Sequence, residues 1–366
     1  MTTTGARPEA SQPEASRPED PIEARLQAFV ERRSLEDGRR EILLDLVGFG
    51  LFAGTALWLV VAGAASSGDA WPAAALVAMA GAAVLVGRLA ASASRLLVPS
   101  AVAGVALALA LAGGEDLVGG GPLGPQFAYA NATGAFYAQA VLAGLMLAVA
   151  ARRPGPRTAG WIAALGFASV AVGTSVAAAI LVVALGVIAL AAWLLGTPRG
   201  AVALMGGAFI AAVIVTAAMG ATYSPDDPGP LGVIAQDSVG ERRALLWRDA
   251  VDIMREHPVV GAGPGSFREL SPTALDDRDA VWAHHGFLQV GAETGVPGFV
   301  LLVALFVWGF ARLWAGPPDA ITALGAASLA ALGIHASIDY VMHFPAIPLA
   351  AAALVGAATA ARRRRA

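Results

Sequence analysis

Apolar runs of about 20 residues recur along most of the chain, and they limit what it can fold into. A helix of about 20 apolar residues is long enough to cross a bilayer. Only 14% of the 366 residues are charged, whereas soluble domains average about 25%. The sequence therefore predicts an all-α, multi-pass membrane bundle. We count ten spans, at roughly 42–65, 71–90, 96–112, 134–151, 158–174, 176–195, 200–220, 297–315, 320–338 and 345–361.

The arginines indicate how these spans are oriented. All 24 basic residues are arginine. Outside 221–296, they lie before the first span, in the last turn of or just after an even-numbered span, or at the end of the chain. Positive charge accumulates in short cytoplasmic loops. We therefore predict that both termini are cytoplasmic and that 221–296 is external. An odd number of spans would disrupt this partition, which favours ten.

Composition divides the chain further. The first residues are rich in Pro, Glu and Ser, which is typical of disorder. The next segment carries apolar residues on one helical face, and we expect it to lie on the cytoplasmic leaflet. The predicted parts are a disordered tail at 1–21, an amphipathic helix at 22–40, spans 1–7 within 41–220, an external catalytic loop at 221–296, spans 8–10 within 297–361, and a basic tail at 362–366.

No metal motif is readable in the chain. Cysteine is absent, which excludes disulfides and thiolate sites. His284 and His285 are adjacent, so on a helix they would point about 100° apart. Glu293 is nearby, but no HExxH spacing exists. We expect no protein metal site, no cofactor and no nucleic-acid partner.

The external loop concentrates the charge. Residues 242–298 hold six arginines and three histidines. Ser238 and Glu241 have capping-box spacing, which predicts a helix from about 239 to 256, ended by His257 and a proline. Arg243 lies one turn before a tryptophan and beside Arg242. Two guanidinium groups near a helix N-terminus favour an anion such as diphosphate. A solvated basic face, or contact with lipid headgroups, is the alternative reading.

Three further features have both a functional and a structural reading. The glycines between 261 and 265 predict a sharp turn that lets backbone approach a ligand closely, although any tight loop looks similar. His284 is a candidate general base, because histidine changes charge near neutral pH, or a structural histidine. His335 and Asp339 are four residues apart and share a helical face. The two residues are either a functional pair or a structural polar pair that holds helix ends together.

These motifs together resemble the O-antigen ligase and polymerase family of bacterial membrane glycosyltransferases. The resemblance covers most of 120–355. The chain differs from the family pattern by having His285 where Asn, Ser or Gln is found, and no arginine after Ser175. It also has ten predicted spans where members often have about twelve. The matching elements are an arginine four residues before Trp247, HPVVGAGPGSF, a histidine pair followed by nine residues and then Gly295-Val-Pro-Gly298, HASID with FPAIP, and FAYANATGAF.

The resemblance implies a GT-C-like fold and glycosyl transfer without a metal. The donor would be a polyprenyl-diphosphate-linked glycan and the acceptor a lipid or glycan hydroxyl, during surface polysaccharide assembly at the bacterial cytoplasmic membrane. Arg243, supported by Arg242, would hold the diphosphate, and His284 would be the base. The other candidate substrate-binding residues are His285, Glu293, Arg268, His335 and Asp339.

Two other functions fit parts of the pattern. A transporter or binding protein for an anionic solute would also place arginines in an external site. Transporters often contain internal repeats and broken helices at the midplane. The halves of this chain share no convincing repeat, and its polar residues cluster in one loop, which favours the enzyme. A catalytically degenerate family member with a scaffold role is the third possibility.

Overall fold

The computed structural model describes residues 21–66, 68–113, 129–276 and 281–360. Within these residues the chain forms fourteen α-helices, one 3₁₀ turn and no strand, so the predicted all-α class is confirmed. The helices are α1 (Pro21–Ser66), α2 (Trp71–Ala93), α3 (Leu97–Gly113), α4 (Ala130–Ala150), α5 (Pro154–Thr174), α6 (Val176–Leu194), α7 (Pro198–Thr222), α8 (Gly229–Val239), α9 (Glu241–Glu256), α10 (Phe267–Leu270), α11 (Pro272–Leu275), α12 (Gly286–Trp314), α13 (Ala320–Ala336) and α14 (Ala346–Ala358).

Each predicted span coincides with a helix. Among the described residues, six helices are long and apolar enough to cross a membrane, namely α2, α4, α6, α7, α12 and the part of α1 from Gly38. Three shorter apolar helices correspond to α3, α13 and α14, and α5 has 21 residues. The multi-pass architecture is confirmed, and the count of ten spans stays a prediction.

The fifth and sixth spans are separate helices, as predicted. Ser175 has an extended backbone between them, with φ −152° and ψ 106°. Its hydroxyl oxygen accepts a hydrogen bond from the Ala178 N–H at 3.3 Å, which satisfies one of the free donors at the start of α6.

The segment predicted as an amphipathic helix belongs to α1, which continues without a helix break into the first span. Of the described residues, those up to Leu43 form a unit of their own. Its placement on the leaflet stays a prediction. The tail predicted to be disordered, 1–21, lies outside the described residues except for Pro21, and the basic tail at 362–366 lies outside them entirely.

Helix α4 runs through the core, and most of its residues are buried. It approaches α5 closely through glycine. A Cβ atom on Gly144 would lie 2.8 Å from the backbone nitrogen of Ala164, so only hydrogen fits there. Small residues allow such backbone contacts between membrane helices. Near the N-terminal end of α4, which carries Asn131, a Cβ atom on Gly134 would collide with the Ser175 side chain, so this end is packed closely as well.

The helix predicted at 239–256 begins later than expected. Gly240 adopts φ 92° and separates α8 from α9, a conformation that costs a glycine little. The proposed capping box is wrong, because the Ser238 hydroxyl donates to the Ile234 carbonyl within α8 at 2.6 Å. The predicted stop is confirmed, since α9 ends at Glu256.

Helix α12 begins at Gly286, well before the predicted start of the eighth span at 297. It bends at Gly295, where φ is 74° and ψ −179°, just before Pro297. The glycine turn docks against this bend. The N–H of Gly263 donates to the Glu293 carbonyl at 2.9 Å, and the N–H of Val296 donates to the Pro258 carbonyl at 2.9 Å. The close backbone approach predicted for a ligand is made to the protein's own helix.

Labelling of single cysteines tests the predicted orientation. Because the chain has no cysteine, one introduced thiol gives an unambiguous signal. We expect Asp227→Cys to react with a membrane-impermeant maleimide in intact cells, since the arginine partition places 221–296 outside. Thr197→Cys should react only after permeabilisation. Labelling of Thr197→Cys alone in intact cells would reverse the orientation.

Candidate active site

Asp339 is the centre of a polar cluster at one end of the bundle. It lies between α13 and the 3₁₀ turn Val341–His343, and its side chain is only 1% exposed. One carboxylate oxygen, Oδ2, accepts hydrogen bonds from the Tyr129 hydroxyl and the Asn131 amide, both at 2.7 Å. The N-terminal end of α4 and the turn after α13 are thereby joined.

Arg243 approaches the same carboxylate from α9. Its NH2 lies 3.4 Å from Asp339 Oδ2, and its NH1 donates to the Ile338 carbonyl at 3.1 Å. The side chain is 27% exposed. A guanidinium carries five N–H donors, and these two contacts each use one. Arg243 can therefore stay fixed to the Asp339 turn while it presents further donors to an anion.

Trp247, one helical turn after Arg243, holds the histidine segment. It is fully buried, and its indole N–H donates to the His284 carbonyl at 3.1 Å. The Gly286 N–H donates to the Asp339 carbonyl at 3.3 Å. The spacing of four residues thus lets one face of α9 reach both Asp339 and His284.

His284 has a strained backbone. Its φ is 50°, and it is the one non-glycine residue with positive φ in the described part of the chain. Such a conformation costs on the order of 1–3 kcal/mol and tends to occur at functional sites. Its side chain is 18% exposed, and Nδ1 lies 3.4 Å from Asp339 Oδ1.

The contact between His284 and Asp339 is at the outer limit of hydrogen-bond length. Its geometry falls short of a regular hydrogen bond, and Nδ1 has no other hydrogen-bond partner among the described residues. Catalytic hydrogen bonds are often long without substrate. With Nδ1 turned towards the carboxylate, Nε2 is the ring nitrogen available to take a proton. A carboxylate behind a histidine fixes this tautomer in hydrolases.

Asp339 is charged at neutral pH. Burial acts strongly against the charged form, but the contact with His284, the positive charge of Arg243 and the hydrogen bond from Tyr129 together lower its pKa to about 2. Burial and the neighbouring carboxylate raise the pKa of Tyr129, so its hydroxyl keeps its proton and donates. The cluster therefore presents a fixed negative charge beside His284.

His285 is engaged on both sides of its ring. It is fully buried and is the N-cap of α12, where Nδ1 accepts from the Leu288 N–H at 3.2 Å. Nε2 lies 2.8 Å from the Thr216 hydroxyl, which donates to the Ala212 carbonyl at 2.7 Å. Nε2 must then carry the proton and donate to Thr216. Burial lowers the pKa of His285 to about 3, so it is neutral and built into the helix start.

The remaining predicted residues lie around this centre rather than in it. The predicted His335–Asp339 pair stays a prediction. Asp339 bonds to Tyr129, Asn131 and Arg243 and contacts His284, whereas His335 is buried in the last turn of α13.

Glu293 belongs to the docked glycine turn. One carboxylate oxygen accepts from the Gln289 amide at 3.0 Å, and the backbone N–H groups of Gly265 and Phe267 also bond to it. Arg242 is exposed beside Arg243, and Arg268 is exposed on α10. The substrate-binding roles of these residues stay predictions.

Three site residues were not predicted. Tyr129 and Asn131 contact Asp339 directly, and Ser175 donates to the Asn131 carbonyl oxygen at 3.0 Å. This bond orients the amide so that its NH₂ group faces the carboxylate. The segment FAYANATGAF and the helix break at Ser175 are the sequence signals for these residues. Neither signal indicates that the partner is Asp339.

Among the described residues, no group of three or more His, Asp and Glu side chains is arranged to hold a metal ion. The donors of the site are instead a guanidinium, an imidazole, a phenol and an amide around one carboxylate. Such a set offers donors to an anion and a ring nitrogen that can accept a proton.

Comparison with known proteins agrees with the resemblance seen in the sequence. A family model described as O-antigen ligase matches residues 161–303, which include Arg243, the glycine turn and both histidines. A search of curated proteins found no match. The match supports a membrane ligase-like or polymerase-like enzyme in surface polysaccharide assembly. Residues 161–303 of this multi-pass membrane protein are thus similar to the O-antigen ligase family.

Proposed function

We propose that the protein transfers a glycan from a polyprenyl-diphosphate carrier to a hydroxyl acceptor at the external face of the cytoplasmic membrane. The observation that carries this proposal is the convergence of Arg243 and His284 on Asp339. An anion-binding group and a proton acceptor thus share one fixed carboxylate. The site is assigned to the same face as the loop 221–296.

The diphosphate of the donor is the anion that Arg243 receives. Its forked guanidinium suits phosphate oxygens, and contact with Ile338 and Asp339 fixes its plane before substrate binds. Donors fixed in advance stabilise charge that develops as the leaving group departs. Arg242, exposed on the adjacent position of α9, adds positive charge to the approach.

His284 removes the acceptor proton. The acceptor oxygen forms a bond to the anomeric carbon of the donor glycan, and the bond from that carbon to the diphosphate oxygen breaks. The proton passes to His284 Nε2, and polyprenyl diphosphate leaves with the bonding electron pair. Asp339 stabilises the imidazolium that forms, and Tyr129 and Asn131 hold Asp339 in place.

We propose that the reaction needs no metal, because diphosphate is a good leaving group and Arg243 neutralises its charge. The transporter alternative receives less support from the described residues. Their polar cluster lies at helix ends and turns, whereas transport sites lie near the bilayer midplane.

Deletion of the gene tests the assigned reaction. We expect surface glycan to be lost and its polyprenyl-diphosphate-linked precursor to accumulate, because the step that consumes the precursor is absent. Precursor is measured by mass spectrometry of lipid extracts, and complementation with the wild-type gene is the control. Normal precursor and glycan levels, with altered uptake of an anionic solute, would support the transporter instead.

A further inference from the structure

Aromatic rings gather around His284 at the end of the bundle. None of them is fully buried, in contrast to core rings such as those of Trp247 and Phe287. They come from the residues before the histidine pair and after Asp339, and from the start of α4. The rings are those of Trp282, Tyr340, His343, Phe344 and Tyr129.

Three of these rings form a continuous path away from the base. The Tyr340 ring centre lies 4.8 Å from that of His284, at 87°. Trp282 lies 6.2 Å from Tyr340, and its centre is 4.1 Å from that of His343. His343 is exposed, and the other two are half-buried. The path therefore begins at His284 and ends at the protein surface.

A row of half-buried rings beside a proton acceptor matches the surface of a sugar. A pyranose has apolar C–H faces and a polar rim of hydroxyls. Tryptophan and tyrosine provide large flat contacts with a polar group at the edge. Binding sites commonly combine such apolar walls with a few directed polar groups. A sugar lying on this row would bring one of its hydroxyls to His284.

Aromatic residues also collect at membrane interfaces without binding any substrate. Trp71, at the start of α2, is 71% exposed, as expected of such an interfacial aromatic residue. Residues of an interfacial belt have no reason to converge on a histidine. The convergence of Trp282, Tyr340 and His343 on His284 favours a substrate surface.

We propose that Trp282, Tyr340 and His343 bind the sugar of the acceptor whose hydroxyl reaches His284. The proposal rests on the proposed function, since it takes His284 as the base. We call these three residues the acceptor platform.

Saccharide binding and transfer can be measured separately on the purified full-length protein in nanodiscs. The probe is the host's surface glycan cut to short oligosaccharides, with the host's lipid-linked precursor as donor. We expect Trp282→Leu, which removes the ring, to raise the dissociation constant and the acceptor KM at least about tenfold. Trp282→Phe should lie nearer the wild-type protein, and Trp71→Leu should stay within about twofold of it.

His343→Ala provides a second test, because His343 is exposed and its loss should not disturb folding. It should also weaken saccharide binding. Binding equal to the wild-type protein in both Trp282→Leu and His343→Ala would overturn the platform, as would a fall in kcat with unchanged KM. If the protein binds saccharide through the platform but shows no transfer, the proposed function is wrong and the platform stands. If transfer is unaffected by the platform substitutions, the platform is wrong and the proposed function stands.

Discussion

The His284→Ala protein is expected to transfer glycan about 10²–10⁴ times more slowly than the wild-type protein, which is the usual contribution of general acid–base catalysis. The loss should appear in kcat, because the variant keeps Arg243 and the acceptor platform. Transfer is measured as glycan product formed per minute by protein in nanodiscs. Membrane insertion and thermal stability should be retained, since the His284 side chain is partly exposed.

His285→Asn is the matched control for that loss. An asparagine side chain is a good N-cap, so it can accept from the Leu288 N–H as His285 does, although it gives up the contact with Thr216. We expect a mild effect on rate. Equal and small effects at both histidines would favour structural roles for both. A severe loss at His285 with His284 tolerant would place the base one residue later.

Arg243→Lys is expected to lose a large part of transfer, on the order of 10²–10³-fold, the usual effect of removing a donor to a developing charge. Lysine keeps the positive charge but lacks the fork that reaches both Ile338 and Asp339. The loss should be larger in Arg243→Ala. Transfer is compared at equal amounts of folded, membrane-inserted protein.

Arg248→Lys on the same helix is the control for that substitution. Arg248 is 41% exposed and pairs with Asp252 at 3.5 Å, one turn further along α9. Exposed pairs of this kind contribute little, so we expect near-normal transfer. Normal transfer in Arg243→Ala would remove the diphosphate assignment, and equal losses at both arginines would indicate a general effect of charge on α9.

Local sequence pattern accounted for the helices because the bilayer demands long apolar segments. It failed where one residue redirects the backbone. Gly240 divides the polar helical stretch in two. Gly295 and Pro297 read as the start of a span, whereas they bend a helix that has already begun at Gly286. A glycine's positive φ cannot be read from its neighbours.

The site was only partly predictable for a different reason. Arg243 and His284 were found because charge is rare in this chain and because the motifs resembled a family. Tyr129 and Asn131 contact Asp339 across more than 200 positions of sequence. No local periodicity encodes such a contact, since it depends on how α4 and α13 pack. The glycines predicted a close backbone approach at the glycine turn. They did not predict that the partner is the bend in α12, since local periodicity does not encode that contact either.

The most direct test of the central claim is transfer by the purified protein from polyprenyl-diphosphate-linked glycan to the oligosaccharide acceptor, with EDTA present. We predict that the wild-type protein forms the glycan product and releases polyprenyl diphosphate in equal amounts, and that His284→Ala forms almost none. Loss of transfer in EDTA that added metal restores would contradict the proposed mechanism. Product formation by His284→Ala at the wild-type rate would contradict it as well.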